Sequence, residues 1–239
     1  MTAEKTVVAA TTNRHKLAEI AATLEPFGYT VIFRAEAGVP EFEVEENGTT
    51  FEENSYLKAR AIFDYLEGRV WTLADDSGLE VDALGGAPGV YSARFAGQEE
   101  PGAYAASADG DACDYAAAEK NTEHAHRGLQ DRANNAKLLR LLEGTPKERR
   151  RARFVSVITC LWPADGPLVC RGEVEGHIDF AQTGKAGFGY DPLFIPEGYD
   201  RSFGSFAPED KNAISHRGLA LKQLAEKLAE QQPGSEPIQ

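Results

Sequence analysis

The chain is poor in sulfur: three cysteines (Cys113, Cys160 and Cys170) and one methionine in 239 residues. Cysteines so few and so scattered make neither a disulfide scaffold nor a zinc site. Long apolar runs are missing too. None approaches the roughly 20 residues that a membrane-spanning helix needs, so no membrane partner is expected. Basic residues are in deficit: Lys+Arg is 25 against Asp+Glu 38, a formal charge of −13 and a pI near 4.9. General nucleic-acid binders carry a net basic surface, so no nucleic-acid partner is expected. The opening MTAEKTVVAA lacks the apolar stretch of a secretory leader, and no internal repeat is visible. What is present is ordinary globular usage, 42% apolar and 26% charged, on a chain long enough to bury its own core. A soluble, acidic, cytoplasmic protein is expected.

Patterning points to strands and helices in alternation. KTVVAAT, 5–11, reads as a buried strand. NRHKLAEIAATL carries Leu17, Ile20, Ala21 and Leu24 on one helical stripe, with Thr12 or Asn13 as N-cap. YTVIFRA, 29–35, is a second strand. Thr50 and Glu53 form a T-x-x-E capping box for a helix running to about Leu66. RVWTLA is a strand expected to end at Asp75 and Asp76, before a Gly/Pro-rich loop over 77–97. Residues 98–127 hold seven acidic and two basic side chains and read as an exposed acidic insertion or a flexible loop. NNAKLLRLLEG, 134–144, is a helix closed by glycine. ARFVSVITCLW and PLVCRGEVEG, joined by PADGP, read as a hairpin that makes Cys160 and Cys170 cross-strand neighbours with free thiols. Residues 177–181 extend the sheet, and a last helix begins near Ser215. This order predicts an α/β fold, a mixed β-sheet flanked by helices. No linker cuts the chain, so 1–232 is expected as a single domain and 233–239 as a frayed tail.

Two helices carry charge at the wrong end. A helix N-terminus is the positive pole of the macrodipole and favours acids. Yet the first helix opens with Asn13, Arg14, His15 and Lys16, and the last with Ser215, His216 and Arg217, with Lys211 just upstream. Either run alone reads equally well as solvated surface cations. Two in one acidic protein point to a docked anion, for which backbone N–H groups, dipole and side chains all act together. Carboxylates form the second element. Asp75 and Asp76 stand at an expected strand end, where ligands of α/β sheets bind, and Glu45 and Glu46 precede the capped helix. Mg²⁺ takes one or two such carboxylates plus substrate phosphates, although Asp-Asp-Ser-Gly also suits a plain turn.

GFGYDP, 187–192, fails as a dinucleotide fingerprint because Pro192 replaces the third glycine. Its glycines still admit close backbone approach, and Phe188 and Tyr190 offer flat faces for a base. Buried hairpin aromatics would read the same way. Lys58 lies mid-helix, where most lysines face solvent. His124 and His126 sit in the acidic stretch without a further ligand at metal spacing.

Five stretches, ATTNRHKLAEI, GTTFEENSYLKA, ADDSGLEVDALGGAPGVYSARFAG, GFGYDPLFIP and EDKNAISHRGLAL, give the chain its resemblance to a known family. From residue 6 to about 228 it resembles the inosine triphosphate pyrophosphatases, or dITP/XTP pyrophosphatases. The resemblance implies a fold with two lobes around a central cleft, usually a homodimer. It implies Mg²⁺-dependent hydrolysis of ITP, dITP and XTP to the monophosphate and pyrophosphate. Matched to those motifs, the loop Thr11, Thr12, Asn13, Arg14, His15 and Lys16 would cradle phosphates. Glu46 would bind Mg²⁺. Asp76 would be the catalytic carboxylate, holding metal or activating water. Lys58 would face the phosphates and Ser77 would touch substrate. Phe188, Gly189, Tyr190 and Asp191 would line the nucleoside site, with Lys211, His216 and Arg217 near the base. Thr12 departs from the family, which usually has glycine there. Other readings are a pyrophosphatase for dTTP or UTP, a non-catalytic nucleotide-binding module, or a sugar-phosphate enzyme using the same anion sites.

Overall fold

The sheet begins with β1 (Lys5–Ala9), which pairs in parallel with β2 (Tyr29–Phe33) on one side and β3 (Trp71–Val81) on the other. Next come β4 (Arg151–Leu161), β5 (Leu168–Ile178) and the short β6 (Phe194–Pro196), each antiparallel to its predecessor. A computed structural model of the chain describes residues 5–98, 123–162 and 166–230, and among these the strands form one six-stranded sheet in the order β2-β1-β3-β4-β5-β6. The expected mixed sheet with flanking helices is therefore observed.

The helices are α1 (Arg14–Leu24), α2 (Phe51–Tyr65), α3 (Glu123–Leu141), α4 (Pro208–Ile214) and α5 (His216–Glu230). Ile20 and Leu24 of α1 and Leu221, Leu224 and Leu228 of α5 pack with Leu73, Ile158 and Cys160 on one face of the sheet. Ala59 of α2 packs with Ala74 and Leu161 on the other. The α2 capping box forms as read: Glu53 N donates to Thr50 Oγ1 at 3.2 Å, and Thr50 N to Glu53 Oε2 at 3.3 Å.

Several sequence expectations are corrected. Strand β3 does not end at Asp75 and Asp76 but runs through them to Val81, because ten successive residues pair with β4 from Thr72↔Leu161 to Val81↔Ala152. The supposed loop thus starts later, and its 89–97 portion coils into 3-10 turns. The second strand stops at Phe33 rather than at residue 35, and β5 stops at Ile178. Helix α3 starts at Glu123, eleven residues before the reading placed it, so the end of the 98–127 stretch is helical; 99–122 lie outside the described residues, as do 231–239. The last helix begins at His216, as read, and a short helix that the reading did not name, α4, precedes it and ends where Ser215 turns extended. Cys160 faces Leu168 and Cys170 faces Ile158, so the thiols are diagonal rather than direct neighbours; both are free and buried.

One close approach fixes α5 on the sheet. A Cβ at Gly172 of β5 would collide with the His216 carbonyl oxygen and stand 2.6 Å from Ala220 N. Backbone cannot yield as a side-chain tip can, so Gly172→Ala is expected to cost about 1–3 kcal/mol. Chemical denaturation measures this; an unchanged midpoint contradicts the packing described.

Candidate active site

Strand β1 pairs with β3 from Val7↔Trp71 to Ala9↔Leu73, and the chain then leaves through residues 10–13 into α1. Beyond that point β3 has an uncovered edge on this side. Consecutive strand residues face opposite ways. Asp75 therefore points toward α1 and α5, while Asp76 points toward α2. The open edge brings both within reach of the space beyond the carboxyl end of β1, where α/β sheets bind ligands.

Asn13 is the N-cap of α1: its Oδ1 accepts from His15 N at 3.0 Å and Lys16 N at 3.4 Å, and its own N–H donates to Thr11 Oγ1 at 3.1 Å. This cap aims the first turn of α1 at Asp75. Lys16 Nζ lies 2.7 Å from Asp75 Oδ2. From α5, Arg217 donates to the same oxygen through Nη2 (3.2 Å) and Nε (3.3 Å), and to Ser77 Oγ at 3.0 Å. Its Nη1 bonds Glu19 of α1. Ser156 Oγ donates to Asp75 Oδ1 at 2.6 Å. Burial alone would push the Asp75 carboxyl up, but Arg217 and Lys16 outweigh it and hold the group far below the ordinary carboxylate range. Both Asp75 oxygens are thus engaged, and the side chain has no exposed surface. The misplaced helix cations are explained in part from within: Asp75 and Glu19 compensate them before any ligand arrives.

Asp76 differs. Its Oδ1 accepts from Lys58 Nζ at 2.6 Å, and Lys58 also reaches Glu46 Oε2 at 3.4 Å. Lys58 is therefore not a solvent-facing lysine. Asp76 Oδ2 is buried without a hydrogen-bond partner among the described residues. Burial raises the Asp76 carboxyl above its usual value, against the pull of Lys58. Two carboxylates converging on one spot, one with an orphaned oxygen, are a hard-oxygen donor set that fits Mg²⁺. Among the described residues no third His, Cys, Asp or Glu completes a cage. Mg²⁺ needs none, since it draws its remaining ligands from water and phosphate.

Two cavities meet here. One, of about 830 Å³, is lined by Thr11, Thr12, Asn13, Lys16, Glu46, Lys58, Asp75 and Asp76. The other, of about 820 Å³, is lined by Ser92, Phe188, Gly189, Tyr190, Asp191, Lys211, His216 and Arg217. Asn13, Lys16 and Ser77 line both. In the second cavity Phe188 stacks on His15, with ring centroids 5.7 Å apart, and Lys211 Nζ lies 4.8 Å from the Phe188 ring centre. Lys211 pairs with Asp191 Oδ2 at 2.7 Å. His216 stacks on Phe154 at 4.7 Å, and its Nδ1 is buried without a partner among the described residues. Burial, reinforced by Arg217 and Lys211, drives the His216 pKa well below its usual value, so it is neutral near pH 7. Tyr190 turns its hydroxyl inward, onto Ser92 O at 2.9 Å.

Nearly every residue singled out from the sequence converges on this pair of cavities. Arg14 and His15 do not: both are exposed and line neither, and His15 reaches the site only by its stack on Phe188. Asp191 lines the second cavity, but its carboxylate is spent on Lys211 and on Phe188 N at 2.8 Å. Sequence reasoning missed Glu19, the partner of Arg217, and Arg34, Arg94 and Arg127, which line the first cavity. Asking which acid shares a helix face with Lys16 would have found Glu19, three residues on.

The geometry has counterparts. The profile described as the Ham1 family matches residues 7–227. The chain belongs to the Ham1 family. It is similar to the dITP/XTP pyrophosphatase of Desulforamulus reducens, with 44% identity over 93% of this chain and 94% of the relative. The dITP/XTP pyrophosphatase of Clostridium perfringens is 40% identical over 94% of this chain and 97% of its own length. The Ham1 protein of Staphylococcus aureus superposes with a TM-score of 0.74 at 36% identity, covering 95% of this chain and all of that one. Ham1-family membership bears out the resemblance read from the five motifs, and the fold match bears out the architecture.

Proposed function

We propose that the protein hydrolyses noncanonical purine nucleoside triphosphates, ITP, dITP and XTP, to the nucleoside monophosphate and pyrophosphate. The observation that carries this reading is the pair of joined cavities. One is lined by cations and carboxylates suited to a metal-bound triphosphate; the other has an aromatic face beneath donor side chains suited to a base. Family membership supports the same reading.

In this account the base lies on Phe188 in the second cavity, and the phosphates pass Asn13 and Lys16 into the first. Asp76 Oδ2 accepts the proton of the water that attacks the α-phosphorus, and Lys58 on Oδ1 keeps the carboxylate oriented. Lys16 and the N-terminus of α1 draw charge away from the departing pyrophosphate. Asp75 takes no proton, because its oxygens are committed to Arg217, Lys16 and serine hydroxyls. Mg²⁺, held by Asp76 and Glu46 with phosphate oxygens, would supply further neutralisation of phosphate charge.

Base choice follows donor polarity. Lys211 spends one of its three N–H donors on Asp191, leaving donors for an acceptor oxygen at C6 of hypoxanthine or xanthine. Adenine presents an amine there and leaves those buried donors unmatched, a mismatch that can discriminate by as much as ~10⁴-fold. The test is pyrophosphate release from ITP, XTP, GTP, ATP and dTTP with and without Mg²⁺. ITP and XTP should far exceed ATP, and removing Mg²⁺ should abolish turnover. Equal kcat/KM for ITP and ATP contradicts the reading, and strong dTTP turnover favours the pyrimidine alternative. We place the enzyme in the cytoplasm, where Cys160 and Cys170 stay reduced, and infer a homodimer from the resemblance; sedimentation velocity checks the latter.

A further inference from the structure

Both polar backbone groups of Gly189 are held by one helix. Asp131 Oδ2 accepts from Gly189 N at 2.9 Å, and Asn135 Nδ2 donates to Gly189 O at 3.0 Å. Residues four apart on α3 lie on one face, so the two side chains hold the N–H and the C=O of a single residue. Gly189 has φ +62°, a left-handed conformation in the turn that carries Phe188. Between them on α3, Asn134 holds a second stretch of the base-cavity wall: its Oδ1 accepts from Ala96 N at 2.8 Å, and its Nδ2 donates to Ser92 O and Ala93 O, both at 3.2 Å. Asn134 and Asn135 are each 2% exposed. The Ser92 carbonyl also accepts from Tyr190 Oη, which ties the two stretches to each other.

From this we infer that Asp131 and Asn135 are positioning residues for base selection: they clamp Gly189 and so set the distance between the Phe188 face and the free donors of Lys211. The inference rests on the functional reading above. Nothing in the clamp touches the phosphates or Asp76. Loosening it lets the aromatic face shift, so that the C6 acceptor no longer meets its donors, while the attack on the α-phosphorus proceeds as before.

The experiment compares Asp131→Ala with Asp131→Asn, which keeps an acceptor oxygen in place. Losing one hydrogen bond of ordinary net strength should raise KM for ITP and lower the ITP-to-ATP ratio of kcat/KM by about tenfold each, with kcat for ITP little changed. Asp131→Asn should restore both. A role confined to folding would depress ITP and ATP turnover alike and leave their ratio fixed. Amide hydrogen exchange over 187–191 supplies a readout independent of turnover: it should accelerate about tenfold in Asp131→Ala and stay at the wild-type rate in Asp131→Asn. Unchanged exchange overturns the clamp whatever the substrate. Accelerated exchange with an unchanged ITP-to-ATP ratio overturns its part in selectivity. A wild type that does not favour ITP refutes the functional reading itself, and with it the clamp's part in base choice.

Discussion

Asp76→Asn should lower kcat for ITP by at least ~10²-fold while the protein stays folded. The substitution keeps size and shape, so β3 and its pairing with β4 are untouched. What it removes is the carboxylate charge and the proton-accepting character of Oδ2, the buried oxygen that lacks a partner among the described residues. Lys58 retains Glu46 as a counter-charge at 3.4 Å, so the site does not collapse for want of one. Steady-state pyrophosphate release together with circular dichroism gives the result. A rate within a few-fold of wild type would remove Asp76 from the chemistry. Hydrolysis in H₂¹⁸O adds the position of attack: label belongs in the monophosphate, and label in pyrophosphate would move the attack away from the α-phosphorus.

Arg217→Met should be the most destabilising single change at the site. Arg217 is 2% exposed and neutralises two acids, Asp75 and Glu19. Met fills similar volume but leaves Asp75 to Lys16 alone and Glu19 with only Lys211, 3.7 Å away. Leaving a buried charge under-compensated costs about 3–5 kcal/mol, a fall of roughly 6–20 °C in Tm for a chain of this size. Adding Asp75→Asn should recover part of the loss, because one of the stranded charges disappears with it. The same pair sets an acid limb. Asp75 titrates lower folded than unfolded, so its stabilisation is complete above about pH 5 and is lost as pH falls through about 4 toward the folded value. Arg217→Met should flatten that limb. A Tm within 2–3 °C of wild type, with an unchanged acid slope, would mean that Asp75 draws little from Arg217.

Local signals in the sequence carried far. The T-x-x-E box at Thr50 and Glu53 formed with both of its hydrogen bonds, since a cap depends only on residues within one turn. The cations at the openings of α1 and α5 marked the site because their unfavourable placement at helix poles demanded an explanation. The carboxylates were harder. Asp75 and Asp76 look like a turn when read alone, and only pairing with β4, some eighty residues away in sequence, keeps them in a strand and sends them to opposite faces. Their division of labour is therefore a tertiary fact. One is saturated by Lys16, Arg217 and Ser156, and the other is left with an oxygen to spare. The Asp131–Asn135 grip was out of reach for the same reason: it acts on Gly189, far along the chain, and nothing local distinguishes its members from solvated helix polars.

A bound nucleotide should lie across both cavities, base on Phe188 and phosphates between Lys16 and Lys58. A crystal structure of Asp76→Asn with ITP tests it most directly. The hypoxanthine ring is expected on the Phe188 face beneath Lys211, and the α-phosphate beside residue 76. A base seated instead among Glu46, Lys58 and Thr12, or a nucleotide bound outside both cavities, would contradict it.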